Sequence, residues 1–243
     1  MGSQDIRQAK FVQPAVSHVL RRARLFDRLE ILCRSPAVWI AAPAGFGKTT
    51  LAASYLTEHR AQTVWYTLNP GDADPGSFFH DLQSAVRLCF PDFQAPGTLH
   101  SDQDARTLCC RFFAHFGEYC PPQTFLVFDN AQELEGAAPF WDMIRWALPR
   151  IGPALRIIFL SRLPPPDALL RLVLNDQLRE LSAEELRLNS EEIAAMVRAD
   201  PPQAGHLERG PRGGRHAFEP DLATLRRERS PRGHHLLYVR RHR

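Results

Sequence analysis

Eight consecutive residues, Ala42-Pro43-Ala44-Gly45-Phe46-Gly47-Lys48-Thr49, have the types and spacing needed to hold phosphate. They fit the Walker A pattern with Ala in place of the first Gly. Small residues let successive backbone N–H groups turn inward around phosphate oxygens. Gly47 permits close backbone approach, Lys48 supplies a point charge, and the Thr49 hydroxyl suits Mg²⁺. A helix beginning at Lys48 would aim its N-terminal amides and positive dipole end at the same anion, so Thr50 joins the phosphate-holding set. The chain has two lysines, Lys10 and Lys48. That one of them falls at the required position strengthens the reading.

The partner of such a loop is an acid at the end of a buried strand. Phe125-Leu126-Val127-Phe128-Asp129 supplies it about eighty residues on, and Asp129 would serve the Mg²⁺ shell. The next position, often a second acid that polarises the attacking water, is Asn130. An amide cannot accept a proton as a carboxylate does, so fast hydrolysis is not expected. Glu133 is close enough in sequence to substitute, but a solvated acid at a helix start is the better reading. Arg162, after Ser161, could sense a γ-phosphate or simply end a strand at the surface; the residue types do not choose between these. Lys48, Asp129 and Arg162 are the candidate catalytic set.

The surrounding pattern is one that can position these groups. Ala37 to Ala42 is an all-apolar run, as a strand buried on both faces reads; Thr63 to Leu68, Thr124 to Phe128 and Leu155 to Leu160 also read as strands, with a short fifth from Gln177 to Leu181. Between them, apolar residues recur at helical spacing. The spacing predicts helices from Ser17 to Arg34 and Lys48 to His59, around Phe78–Phe90, Leu108–Phe116 and Phe140–Leu148, and from Asn189 onward. The last opens on Asn189 with Glu192 three residues later, a capping-box pattern. Strands alternating with helices imply a mostly parallel sheet flanked by helices on both faces. The expected fold is therefore an α/β P-loop NTPase domain over residues 17–199, preceded by a loose lead-in at 1–16.

Composition narrows the class. Hydrophobic residues make up 44% of the 243 and charged residues 23%, which excludes collagen, coiled coil and wholesale disorder. No run approaches the roughly 20 apolar residues of a membrane span. The start, MGSQDIRQAK, has no apolar core and does not read as a secretory signal. Five cysteines without a CxxC pair argue against a metal site and for a reducing, cytoplasmic setting. Cys89 and Cys109 fall within apolar helical patterns and read as small buried hydrophobes.

The phosphate loop with its flanks, Ala41 to Leu51, resembles that of the STAND class of signalling ATPases. The closest subgroup is the maltose-regulon-activator and LuxR-type large ATP-dependent regulators. Arg24-Leu25-Phe26-Asp27-Arg28-Leu29, Trp65 to Asn69, Gly71 to Pro75, Phe78, Leu126 to Asn130, Phe159 to Arg162 and Leu186 to Glu192 match at their expected places. The resemblance covers about residues 20–199. It implies a switch in which ATP or ADP, with Mg²⁺, selects an oligomerising or a resting form, hydrolysis being slow. It implies self-association or a regulatory protein partner. DNA binding would reside in further domains beyond this core, as would the inducer site. Adenine preference also comes only from the resemblance. Two alternatives stand beside the switch: a fragment or interaction protein without turnover, and DNA binding through the basic end.

That end is distinct. Residues 200–243 hold ten Arg, no Lys and five acids, for a charge of +5, against −2 for the rest of a chain whose net charge is +3. Helical and strand periods both vanish at Asp200, inside what should be a helix. A nucleic-acid arm, an inert disordered tail and a change of reading frame near Asp200 all accommodate this. The frame change is favoured, because Arg, Pro, Gly and His rise together and no amphipathic face organises the arginines.

Overall fold

The computed structural model describes residues 9–17, 19–97 and 105–199. The tail beyond Ala199 and the first part of the lead-in lie outside the described residues. The chain divides into two units, 1–187 and 188–243.

In the first unit the elements run α1 (Ala23–Leu32), β1 (Ala37–Ala41), α2 (Lys48–Glu58), β2 (Gln62–Thr67), α3 (Pro75–Cys89), α4 (Ala105–Tyr119), β3 (Thr124–Asp129), α5 (Ala138–Ala147), β4 (Leu155–Ser161), α6 (Leu170–Leu174) and β5 (Leu178–Leu181). The strands form one sheet in the order β2-β3-β4-β1-β5, every pairing parallel. Parallel neighbours need crossover connections, and these carry helices onto both faces. The P-loop α/β architecture expected from the alternation is thus present.

Side-chain alternation sorts the sheet into two cores. Trp39, Tyr66, Leu126, Phe128, Ile157 and Phe159 face α3, α4 and α5. Val38, Ile40, Trp65, Val127, Ile158 and Leu160 face α1 and α2. The first core is aromatic: Trp39 stacks on Phe159 at 5.1 Å between ring centroids, and Phe159 on Phe128 at 5.4 Å. Each such fully buried ring stabilises the fold by about 1.5–3 kcal/mol. On the second face Ala52 and Ala53 of α2 are fully buried, their small side chains letting the helix lie close to the sheet. That packing fixes the start of α2, where the phosphate loop ends, relative to β1.

Two segments depart from the sequence pattern. The helix predicted from Ser17 forms only at Ala23. Arg22 has non-helical backbone (ψ 76°), and the Arg21 and Arg22 side chains are drawn into long-range bonds, Arg22 to the Arg187 carbonyl at 2.9 Å. Arg21 forms a bidentate pair with Glu58, and Arg24 donates to the carbonyls of Glu185 and Arg187. The described part of the lead-in is also more engaged than its composition suggests. The Thr67 N–H on the edge strand donates to the Lys10 carbonyl, Phe11 packs on Tyr66, and the Gln13 amide reaches the Ala53 carbonyl on α2. The short helix α6, after Pro164-Pro165-Pro166, was not legible as a period.

The second unit starts at Leu188, and its described element is α7 (Ser190–Ala199). The capping box forms as the sequence predicts: the Glu192 N–H donates to Asn189 Oδ1 at 2.8 Å, and the Asn189 N–H donates to Glu192 Oε2 at 3.1 Å.

Candidate functional site

At the C-terminal edge of the sheet, the loop after β1 and the ends of β3 and β4 enclose an open cleft of about 360 Å³. In open α/β sheets ligands bind at this edge. The lining brings together Ala44, Gly45, Gly47, Lys48, Thr49, Thr50, Asp129, Asn130, Gln132 and Arg162. Lys48, Asp129 and Arg162, about eighty and thirty residues apart in sequence, therefore meet because β1, β4 and β3 are consecutive in the sheet.

The loop geometry follows from its glycines. Gly47 is the N-cap of α2 in left-handed backbone (φ 76°, ψ 21°), and Gly45 has φ 84°. A side chain at either would strain the turn. A Cβ at Gly47 would meet nothing within 4 Å, so the concavity is open to a ligand. Two residues of the expected phosphate-holding set lie off the lining. Phe46 packs its ring against the α1–α2 core, and Pro43 contributes its carbonyl. Phe46 thus pins the loop to the domain rather than facing the cleft.

The Lys48 ammonium donates to the carbonyls of Ala42 at 2.6 Å and Pro43 at 3.0 Å. Burial lowers its pKa and Arg162 lowers it further, while Asp129 opposes both. An ammonium held by neutral carbonyls near another cation is poised to take an anion. Asp129, 8% exposed, accepts from its neighbour's Asn130 N–H at 2.9 Å and from the Thr49 hydroxyl at 3.2 Å. Burial raises its pKa; those two bonds and Lys48 hold the rise in check. A buried carboxylate beside a hydroxyl, both hard oxygen donors, fits Mg²⁺, which takes one or two protein oxygens and completes its shell with phosphate and water. Thr49 and Asp129 would hold the ion; it would neutralise phosphate charge there.

A family model described as an AAA domain matches residues 35–160. The chain belongs to this AAA-domain family. The HTH-type transcriptional regulator MalT of Yersinia enterocolitica is 29% identical over 175 residues, 70% of this chain and 19% of that protein. MalT of Vibrio cholerae is 25% identical over 189 residues, covering 76% and 21%. The chain spans about a fifth of the length of these curated relatives. Among solved structures, a STAND protein with a tetratricopeptide-repeat sensor from Pyrococcus horikoshii aligns at TM-score 0.46 and 21% identity, over 76% of this chain and 26% of that one. A Walker-type ATPase of Pyrococcus abyssi aligns at 0.49 and 15%, over 74% and 57%.

In this AAA domain the corner after β3 is occupied by Asn130 in left-handed backbone (φ 63°, ψ 41°), a conformation Asn tolerates better than most residues. Glu133 is exposed and off the cleft lining. Asp129 is then the one carboxylate lining the cleft among the described residues. Arg162 is exposed, with its backbone N–H bonded to Gln132 Oε1 at 3.1 Å. Gln132 went unnoticed in the sequence. A glutamine in Asn130-Ala131-Gln132-Glu133 carries no periodic or motif signal, and its part is visible only once β3 and β4 lie side by side. Among the described residues no helix is long and apolar enough to cross a membrane.

Proposed function

We propose that this AAA domain binds MgATP and MgADP and serves as the nucleotide switch of a bacterial signal-responsive transcriptional regulator, hydrolysing ATP slowly at most. The observation that carries the reading is the convergence of Lys48, Thr49, Asp129 and Arg162 on one cleft with a glycine-lined mouth. Lys48 and the loop amides would take the β- and γ-phosphates, Thr49 and Asp129 the Mg²⁺, and Arg162 the γ-phosphate. The lining supports slow turnover: with Asp129 committed to the metal, no second carboxylate among the described residues lines the cleft to accept a proton from water. The same observation favours a second reading, nucleotide binding with no turnover at all.

The regulatory context comes from the MalT relatives, whose names describe HTH-type transcriptional regulators. Self-association, a regulatory protein partner and DNA contact would belong to the wider protein. DNA binding through residues 200–243 rests on residues outside those described.

The test is titration of a fluorescent ATP analogue against wild type and Lys48→Ala. Loss of the ammonium is expected to weaken binding about 100-fold, equivalent to about 2.7 kcal/mol. Equal binding by the two proteins, or none by wild type, would overturn the assignment.

A further inference from the structure

The last register pair of β3 with β4 is Phe128 with Phe159. Beyond it the strands part, and Asp129-Asn130 on one side and Ser161-Arg162 on the other leave the ladder. The side chain of Gln132, in the short 3₁₀ turn Ala131–Leu134, spans that gap. Its Oε1 accepts the Arg162 N–H at 3.1 Å, and its Nε2 donates to Asn130 Oδ1 at 3.3 Å and to Glu133 Oε1 at 3.4 Å. The peptide unit joining Ser161 to Arg162 is consequently held at both ends. Its carbonyl, that of Ser161, accepts from the Ala42 N–H at the start of the phosphate loop at 3.2 Å. Its N–H is held by Gln132. A peptide fixed on both sides sets the direction in which the Arg162 side chain leaves the backbone.

Gln132 itself sits in the wall between two clefts. One is the phosphate cleft; the other, of about 410 Å³, is lined by Trp39, Trp141 and Leu163 to Pro166. It is half-buried there, so its amide is restrained by neighbours as well as by its three bonds. Among the described residues no ion pair occupies the Arg162 guanidinium, which leaves it available to an anion in the cleft.

We propose that Gln132 is a positioning residue that aims Arg162 at the terminal phosphate of a nucleoside triphosphate, and so lets the site distinguish ATP from ADP. The inference rests on the nucleotide-binding reading above. The phosphates shared by both nucleotides are met by the loop and Lys48, which Gln132 does not touch. Its bond to the Arg162 N–H therefore acts on the γ-phosphate, while its bonds to Asn130 and Glu133 hold the amide in place.

The experiment measures ATP and ADP affinities for wild type, Gln132→Met, Arg162→Ala, the double variant and Lys48→Ala. Methionine keeps the length and bulk of glutamine but makes none of the three bonds. Gln132→Met is expected to weaken ATP binding about tenfold while ADP binding stays within about twofold. Arg162→Ala should do the same, and the double variant should add nothing further, since both act through one contact. Equal loss for ATP and ADP in Gln132→Met would mark a merely structural role and overturn the proposal, as would additive losses in the double variant. Arg162 is exposed, so Arg162→Ala keeps the fold; an unchanged ATP-to-ADP ratio there also overturns it, whatever the fate of the Gln132 variant. Lys48→Ala reports on the underlying reading: if it binds both nucleotides like wild type, the phosphate-loop assignment fails first and the Gln132 proposal falls with it.

Discussion

The two lysines of this chain occupy two differently built regions. Lys10 lies against the outer edge of β2, where its ammonium meets Asp72 at 2.7 Å and Asp81 at 2.9 Å and sits 4.6 Å from the centre of the Tyr66 ring. Asp72 is itself locked, accepting also from the Tyr66 hydroxyl at 2.6 Å and the Asn69 N–H at 2.8 Å. Lys48 has two carbonyls at similar distances and, among the described residues, no carboxylate in hydrogen-bond contact. Neutral carbonyls satisfy its protons without cancelling its charge. The first lysine is neutralised by the protein; the second is left to be neutralised by something else. Charge balance, more than exposure, separates a cation that holds a fold from one that holds a ligand.

The comparison predicts a crossover. Lys10→Met leaves Asp72, 1% exposed, without its counter-charge, and breaking one side of a buried pair costs about 3–5 kcal/mol. Chemical denaturation should register that loss, while nucleotide affinity stays unchanged, because Lys10 is not among the residues lining the cleft. Lys48→Ala should do the reverse: about a 100-fold loss in nucleotide affinity with denaturation stability held within about 1 kcal/mol. Stability falling equally in both variants would erase the distinction. A smaller step divides the Lys10 site. Asp81 is 22% exposed, so Asp81→Asn should cost only about 1 kcal/mol in the same denaturation assay. A loss as large as that of Lys10→Met would make Asp81 rather than Asp72 the essential partner.

The same contrast explains what was legible in the sequence. Lys48 was readable because its neighbours in the chain are its neighbours in the site: a buried strand before, glycines beside, a helix after. The doubly buried strands β1, β3 and β4 were readable because two covered faces demand nearly continuous apolar runs, and these set Asp129 and Arg162 at the same edge. Lys10 was not, since Asp72 and Asp81 lie more than sixty residues away and only the fold joins them. Nor was the non-helical stretch before α1, where the Arg21 and Arg22 bonds override local helical spacing. Gln132 needed β4 placed beside β3 before its amide had anything to bridge. Local pattern reports chemistry built by consecutive residues and is silent on chemistry built by crossovers.

Asp129 gives the finest test of the idea that the cleft carries unbalanced charge. Burial, the strongest influence on it, raises its pKa above the ordinary carboxylate value. The folded protein therefore binds this proton more tightly than the unfolded chain does. Protonated Asp129 contributes stability that is fully present below the unfolded pKa, and that contribution is lost as pH rises through the raised folded value. At neutral pH the ionised group consequently costs stability in the nucleotide-free domain. Asp129→Asn removes the charge while retaining an oxygen for the Asn130 N–H. It should raise stability by about 1 kcal/mol, roughly 2–4 °C in melting temperature, at neutral pH. The advantage should shrink as pH falls and vanish where Asp129 is protonated in both states. Added Mg²⁺ and ATP should then stabilise wild type more than the variant, reversing their order. A variant less stable than wild type across the whole range would mean that Thr49, Lys48 and the Asn130 N–H already balance the aspartate without any ligand.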